Sequence, residues 1–176
     1  MSELDRVRKW ADALIALHLD PRWSFGFDNA KRRAGQCDYN ARRITVSRYL
    51  AAKYTDDEIH QVLLHEVAHA MAGHRAGHGP RWISTARSIG YEGERLHDGE
   101  GASELAPWVG QCPAGHVHHR YRRPTAPLSC RLCGRGFSEA RLITWTRREV
   151  TSADRRAAMT ARLPADRPMR LPVLSR

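Results

Sequence analysis

The sequence lacks any long apolar run, and it has few cysteines, few lysines and few aromatic residues. A membrane-spanning helix needs about 18 or more consecutive apolar residues, and none of the 176 residues lies in such a run. Residues 1–6 are charged from the start, whereas a secretory signal peptide would carry an apolar segment. We therefore expect a soluble, cytoplasmic protein with no membrane partner.

Cysteine is scarce as well, with four residues in the whole chain. In a cytoplasmic protein this number argues against a disulfide framework. Cys37 stands alone between two expected strands, so we interpret it as a small buried residue rather than a nucleophile. The other three cysteines follow a spacing that is typical of metal binding.

The positive charge is strongly concentrated in the last part of the chain. Residues 1–106 balance 15 basic against 15 acidic residues, whereas residues 107–176 carry 14 arginines against 4 acidic residues. The net charge of +10 therefore belongs to the C-terminal part. A Gly-rich acidic stretch at 98–104 is typical of a linker. We predict a domain at 1–106, a basic segment at 107–150 and a disordered tail at 151–176.

The most informative motif is the sequence His65-Glu66-Val67-Ala68-His69. Because a helix has 3.6 residues per turn, the two imidazoles can converge on one Zn²⁺ at about 2.0–2.1 Å. Glu66 projects from the neighbouring part of the same face and brings a carboxylate near the metal. Such a carboxylate can take a proton from metal-bound water and pass it to a leaving amine. The alternative is a buried helix with two structural histidines, each of which would need a buried partner.

The residues around this motif predict a well-defined helix over 55–73. Thr55 and Glu58 have the spacing of a capping box, and Gly73 suggests where the helix ends. A broad apolar face follows the helical period. Its members are Ile59, Val62, Leu63, Val67, Ala70 and Met71.

The position of the third ligand distinguishes the classes of zinc peptidase. The metzincin pattern needs Gly three residues and His six residues after the second His, and these positions hold Ala72 and Arg75. Gluzincins use a distant Glu instead, and Glu92 or Glu94 fits by spacing alone. The metzincin class is therefore disfavoured.

A histidine beyond the helix is the better candidate for the third ligand. His78 lies in the Gly-rich segment 76–80, where a turn lets the chain fold back toward the metal. His74 follows His69 by five residues, which places it near the opposite side of the helix.

The C-terminal part carries a second set of possible metal ligands. The pair Cys-x-x-Cys-Gly at 130–134 is typical of a zinc knuckle, and Cys-x₃-His at 112–116 supplies another half-site. We choose His116 because Gly115 can shape the turn before it, while His118 or His119 remains an alternative. A segment of ~40 residues with few large apolar groups would also fold poorly without a metal. The predicted structural zinc ligands are Cys112, His116, Cys130 and Cys133.

These motifs together resemble the SprT-like family. The family's core is a His-Glu-x-x-His helix followed by a His-Gly-x-x-aromatic segment, which His78 to Trp82 matches. The resemblance covers roughly residues 5–150 and includes the zinc-ribbon segment that the family often carries. Further similar stretches lie at 23–28, 35–39, 43–47 and 88–90.

The resemblance implies a catalytic zinc held by His65, His69 and His78, with Glu66 as general acid and base. It also implies a zincin-like minimal metalloprotease domain and a DNA-dependent protease, acting on proteins covalently trapped on DNA. The expected fold is α+β, with a small antiparallel sheet and a following zinc ribbon of two or three strands. The expected helices are 4–19, 55–73 and 80–89, and the expected strands of the first sheet are 22–28, 33–38 and 42–47.

The basic segment interleaves arginines with aromatic residues, among them Trp145, as expected for phosphate contact and base stacking. We predict binding to single-stranded or distorted DNA without sequence specificity, which would place the protein at the nucleoid. A solvated arginine-rich surface is the alternative, since three of the 29 basic residues are lysines and genome composition also favours arginine. The candidate contacts are Arg120, Tyr121, Arg122, Arg123, Arg147 and Arg148.

Three functional hypotheses follow from the sequence. The first is a zinc metallopeptidase that hydrolyses peptide bonds in DNA-associated or DNA-crosslinked proteins. The second is a zinc-containing nucleic-acid-binding or regulatory protein whose protease-like site is idle. The third is a peptidase without a nucleic-acid role, whose ribbon binds protein. The presence of all three histidines and Glu66 favours an active enzyme over an idle site.

Overall fold

The structure, a computed structural model, describes residues 3–93 and 101–160, and these residues divide into two units. The first unit extends to Gly101 and includes the chain from Met159 onward, and the second unit is Ala102–Ala158. No helix in the described residues is long and apolar enough to cross a membrane. The architecture is α+β, as the sequence predicts.

In its described residues the first unit contains four α-helices and three strands. The N-terminal helix, the helix with the His-Glu-x-x-His motif and the following short helix lie where the sequence predicts them, whereas no sequence pattern predicts the short helix directly after the third strand. In chain order the elements are α1 (Glu3–His18), β1 (Ser24–Asp28), β2 (Gly35–Asp38), β3 (Arg43–Ser47), α2 (Arg48–Lys53), α3 (Asp56–Ala72) and α4 (Pro80–Ser88).

The sheet of the first unit is mixed, so the prediction of an antiparallel sheet is wrong. The strand order is β1-β3-β2. The last strand, β3, lies in the centre, parallel to β1 and antiparallel to β2. Asp28 at the end of β1 accepts hydrogen bonds from Thr45 of β3 at 2.7 Å and from Arg33 at 2.6 Å. These contacts fix the connection that carries the chain from β1 to the sheet edge, where β2 lies.

Helix α3 is the centre of the first unit. Both bonds of the predicted capping box are present: the Glu58 N–H donates to the Thr55 hydroxyl at 3.3 Å, and the Thr55 N–H donates to the Glu58 carboxylate at 2.9 Å. The helix ends before Gly73, which has a positive φ of 84°. It contacts α1, α4, β2 and β3, so most of its surface is buried.

The second unit is built on an antiparallel sheet of three short strands. These strands are β4 (Trp108–Gln111), β5 (Val117–Arg120) and β6 (Thr144–Arg147), with β4 in the centre. Gly110 in β4 leaves room for the ring of Trp145, because a Cβ at this position would come within 2.7 Å of that ring. Trp145 therefore lies against the sheet and is half-buried.

Residues predicted to belong to a disordered tail instead form helix α5 (Ser152–Ala158). The composition suggested disorder, but Thr151 and Asp154 form a local cap, in which the Asp154 carboxylate accepts from the Thr151 N–H at 2.7 Å. The helix contacts the turn Ser103–Leu105, where Leu105 is buried. The remainder of the predicted tail, 161–176, lies outside the described residues.

The predicted linker 98–104 and the predicted boundary after residue 106 also differ from the observed units. The turn Ser103–Leu105 belongs to the second unit. Arg148 holds the next residues in place, because its Nε donates to the Ala106 carbonyl at 3.1 Å and its N–H donates to the Pro107 carbonyl at 2.9 Å. The charge change that suggests the boundary therefore lies a few residues inside the second unit.

The capping box predicts the effect of a substitution at Thr55. We expect Thr55→Ala to lower the free energy of unfolding by about 1 kcal/mol, since the Glu58 N–H loses its partner. Urea denaturation followed by circular dichroism measures this change. The control is Thr85→Ala, because the Thr85 hydroxyl bonds only to the Arg81 carbonyl of its own helix. Equal stability of the two variants would contradict a role for the box.

Candidate metal centres

Three histidines from two parts of the first unit converge at the surface of α3. His65 and His69 are one turn apart on α3, and His78 follows in the loop before α4. Their Nε2 atoms are separated by 2.9 Å (His65–His69), 3.0 Å (His69–His78) and 3.1 Å (His78–His65). Gly77, with a φ of 49°, forms the turn that brings His78 back to the helix. The structure thus brings the three predicted ligands together.

Hydrogen bonding among the histidines cannot satisfy this arrangement. A ring nitrogen is either a donor or an acceptor, so three Nε2 atoms cannot all pair with one another. One divalent cation can accept a lone pair from each of them, and imidazole nitrogens are typical zinc ligands. Burial, with a smaller effect of the His78 charge, lowers the pKa of His69 to about 4. His69 is therefore held in the neutral form that binds metals, and the site fits a zinc ion.

Trp82 packs against all three histidine rings. Its ring centroid is 4.5 Å from that of His65, 5.3 Å from His69 and 4.7 Å from His78, and its side chain is 2% exposed. Helix α4 carries Trp82, as the His-Gly-x-x-aromatic segment suggests. The buried Tyr91 extends this wall, with its ring 5.3 Å from His65. The motifs did not indicate Tyr91, because it lies outside every recognised spacing.

Glu66 is almost completely buried beside the histidines, with 2% of its surface exposed. Burial raises the pKa of its carboxyl to about 8, although the nearby Arg33 charge and a hydrogen bond from the Cys37 backbone N–H act in the opposite direction. The carboxylate faces β2, where Gly35 lies against it. Glu66 is therefore an acid–base group in a low-dielectric environment next to the candidate metal ligands.

An open cleft of about 500 Å³ lies between the β2 edge and α3. Glu66, His69 and His78 line it, together with Arg33 and Tyr39 of the strand region. The Tyr39 hydroxyl donates to the His69 carbonyl at 3.1 Å, which connects the turn after β2 to α3. Sequence reasoning did not identify Arg33 or Tyr39 as cleft residues, since their proximity depends on how the sheet packs against α3.

The alternative ligands considered from the sequence lie elsewhere. His74 lines the cleft with its ring 5.3 Å from that of Tyr39, but it does not join the histidine cluster. Glu92 is exposed, and its backbone N–H donates to the Gln61 side chain at 2.8 Å. Glu94 lies outside the described residues.

A second possible metal centre lies in the second unit. The His116 Nδ1 atom is 3.5 Å from the Cys112 sulfur, 3.2 Å from that of Cys133 and 3.6 Å from that of Cys130. The Cys112 and Cys133 sulfurs are 3.7 Å apart, far beyond the ~2.05 Å of a disulfide. This separation matches two thiolates at about 2.3 Å from one tetrahedral zinc ion. The four side chains fit a closed structural zinc site.

The position of the other two histidines bears on the choice of the fourth ligand. His118 Nε2 lies 3.2 Å from the Cys130 sulfur, but His118 is not part of the four-residue cluster. His119 is exposed.

Burial raises the pKa of the Cys112 thiol, but the N–H groups of His116 and Ala114 and the His116 ring overcome this effect and lower it to about 6. Cys112 is therefore readily deprotonated, as metal binding requires.

Most of the predicted nucleic-acid contacts lie at the surface of the second unit. Tyr121 is half-buried, and Arg120 lies over the Trp145 ring at 6.0 Å from its centroid. Arg148 is an exception, because its Nε is bonded to the Ala106 carbonyl. The exposed members of the predicted set are Arg120, Arg122, Arg123 and Arg147.

The distances predict that His116 and His118 contribute differently to metal binding. We expect His116→Ala to weaken binding of the second metal at least 10-fold, because one of four ligands is lost. We expect His118→Ala to weaken metal binding less, because this variant loses one contact to the Cys130 sulfur. Competition with a chromophoric chelator and metal analysis measure both, and the exposed His119→Ala is the control. A larger effect at His118 than at His116 would reverse the ligand choice.

Comparison with known proteins agrees with the motif-based resemblance. The family model described as the SprT-like family matches residues 4–100, which is more than half of the 176-residue chain. The matched range includes the three converging histidines and Glu66, whereas the second unit follows it. No curated protein and no solved structure matches the chain. The family match confirms the resemblance, and the chain belongs to the SprT-like family, with a metallopeptidase-like domain.

Proposed function

We propose that the protein is a zinc-dependent metallopeptidase with a zincin-like catalytic domain. The main support is the geometry of the three histidines: their Nε2 atoms lie within 3.1 Å of one another, beside a buried glutamate at the wall of an open cleft. Three histidine ligands leave one position of a tetrahedral zinc open for water or substrate, which is the arrangement of catalytic sites. The family match supports this proposal.

Each residue of the site has a distinct role in the proposed reaction. His65, His69 and His78 would hold the zinc, which when bound polarises a peptide carbonyl and lowers the pKa of water. Glu66 takes the proton of the attacking water and delivers it to the leaving nitrogen. Trp82 keeps the histidine rings in place by covering them on one side.

The cleft has the size and position needed for a peptide. Its volume of about 500 Å³ falls within the range of ligand pockets, roughly 300–1,000 Å³. The Glu66 carboxylate and the His69 and His78 rings line the same cleft. A peptide bond that enters it would therefore meet the acid–base group and the metal ligands together.

Replacing Glu66 tests the proposed chemistry. We expect Glu66→Gln to retain zinc, because its ligands remain, and to lower kcat for a protein substrate by at least 1,000-fold, on the order of the upper range for a general acid–base group. Cleavage assays and metal analysis of the same preparation measure the two properties. Glu92→Gln is the matched control, since Glu92 is exposed and outside the cluster. Full proteolysis by Glu66→Gln would refute the assignment.

The same experiment addresses the alternative of a zinc-containing regulatory protein with an idle site. Wild-type protein that binds zinc but cleaves no protein, with or without single-stranded DNA, would favour that alternative. The buried Glu66 argues against it, because burying an ionisable group without a function costs stability. The cleft that exposes the site to substrate also argues for activity.

We further propose that the substrates are proteins associated with DNA or crosslinked to it. The positive charge of residues 107–176 supports this proposal, since this segment has 14 arginines and 4 acidic residues. Exposed arginines provide phosphate contacts that do not depend on base sequence. In the described part of this segment the exposed arginines are Arg120, Arg122, Arg123, Arg131, Arg135, Arg147, Arg155 and Arg156.

The surface arginines predict the salt dependence of DNA binding. We expect replacement of Arg120, Arg122 and Arg123 by Gln to weaken single-stranded DNA binding about 10-fold and to reduce the salt slope by about 2, at roughly 0.7 per phosphate contact. Fluorescence anisotropy at several salt concentrations measures both values.

The control for this prediction removes the same charge from the first unit. Arg32, Arg81 and Arg87 are exposed there, and their combined replacement by Gln should change the salt slope by much less. If both triple variants lose affinity equally, the binding reflects net charge alone and the proposed surface is wrong. Unchanged binding by the Arg120, Arg122 and Arg123 variant would have the same consequence.

A further inference from the structure

Gly35 occupies a position where the strand backbone meets the Glu66 side chain. A Cβ added at Gly35 would lie 2.6 Å from Glu66 Oε1, 2.7 Å from its Cγ and 3.0 Å from its Cδ. Separations below about 3.0 Å are not compatible with van der Waals packing. Any side chain at this position would therefore occupy the space that the Glu66 carboxyl group now fills.

The need for glycine here comes from space and not from backbone conformation. Gly35 is absent from the glycines with positive φ, and it lies in a regular strand pairing with Val46. Alanine can adopt this conformation without strain. A substitution at Gly35 therefore changes the contact with Glu66 without straining the backbone.

Neither side of the contact can move away easily. Strand β2 is held to β3, because the Ser47 N–H donates to the Ala34 carbonyl at 2.7 Å and both Ala34 and Val46 are fully buried. Glu66 is 2% exposed and lies on α3, a helix with ten buried residues among its 17. An added methyl group would therefore displace the end of the Glu66 side chain rather than the strand or the helix.

Alternate residues of β2 and of the turn that follows it contact α3. Gly35 makes room for the Glu66 carboxyl group, and the Cys37 N–H lies close enough to that group to lower its pKa. Two residues further on, the Tyr39 hydroxyl donates to the His69 carbonyl at 3.1 Å. Because β2 is an edge strand, its outer side is available for these contacts.

We propose that Gly35 is a positioning residue for the hydrolytic reaction: its missing side chain lets the Glu66 carboxylate lie against the β2 edge, within reach of the Cys37 N–H and on the wall of the cleft. The inference rests on the proposed function of Glu66. It assigns to the Ala34-Gly35 segment a role that the zinc-helix motif alone does not contain.

Gly35→Ala tests this role, with Gly26→Ala as the matched control in the same sheet. A displacement of about 1 Å in a catalytic group can cost on the order of 100-fold in rate. We expect Gly35→Ala to lower kcat about 100-fold, with KM, zinc content and melting temperature close to those of the wild type. In Gly26→Ala the new methyl group meets only the flexible end of Arg43, so kcat should remain within twofold of the wild type.

A double-mutant cycle with Glu66→Ala separates positioning from a general structural effect. Alanine lacks the Cγ and the carboxyl group, which are the atoms that a Cβ at residue 35 would meet. We expect the double variant Gly35→Ala/Glu66→Ala to be no less active than Glu66→Ala alone. If the two losses instead multiply, the substitutions act independently and the proposal is overturned.

The remaining outcomes also decide the question. Wild-type kcat in Gly35→Ala, with Glu66→Gln inactive, overturns this inference and leaves the proposed function intact. Full activity of Glu66→Gln overturns the proposed function itself. If Gly35→Ala does not fold, removal of the Glu66 side chain in the double variant should restore folding and zinc binding, and failure to restore them overturns the inference.

Discussion

The burial of two ionisable side chains on α3 is the constraint on which the first unit depends. His65 is 1% exposed and Glu66 is 2% exposed, and groups of this kind are costly to bury without compensation. Groups outside the helix offset part of this cost: His78 completes the histidine cluster, and the Arg33 charge and the nearby Cys37 N–H lower the pKa of Glu66 against the effect of burial. The loop before α4 and the edge strand β2 must therefore hold fixed positions relative to α3.

Local patterns explain which parts of this arrangement can be predicted from the sequence. The capping box at Thr55 and the His65–His69 spacing depend only on neighbours within one or two turns, and both are observed. The parallel pairing of β1 with β3 depends on where β2 packs, so the strand pattern alone could not determine it. The contacts of Gly35 and Tyr39 with α3 also join residues that are far apart in the sequence. Helix α5 was not predicted, because the composition of its segment suggested disorder.

The two candidate metal centres differ in ways that match different roles. The first offers three neutral nitrogens at the wall of a cleft of about 500 Å³. The second offers three sulfurs and one nitrogen from the loops around a short sheet, and these four ligands would complete a tetrahedral set without an open position. A metal bound there would supply much of the stability of so small a unit. The sequence distinguishes the two centres because histidine and cysteine ligands follow different spacings.

The charges in the cleft bear on how the protein would select its substrates. Besides three histidines, the acidic and basic side chains among the described residues that line the cleft are Arg33 and Glu66. Arg33 is paired with Asp28 at 2.6 Å, and Glu66 is 2% exposed. Neither presents an uncompensated charge to a substrate side chain, so the cleft would discriminate only weakly between charged and neutral substrate side chains. Selection would then depend on which proteins are brought to the cleft, a task suited to the arginines of the second unit.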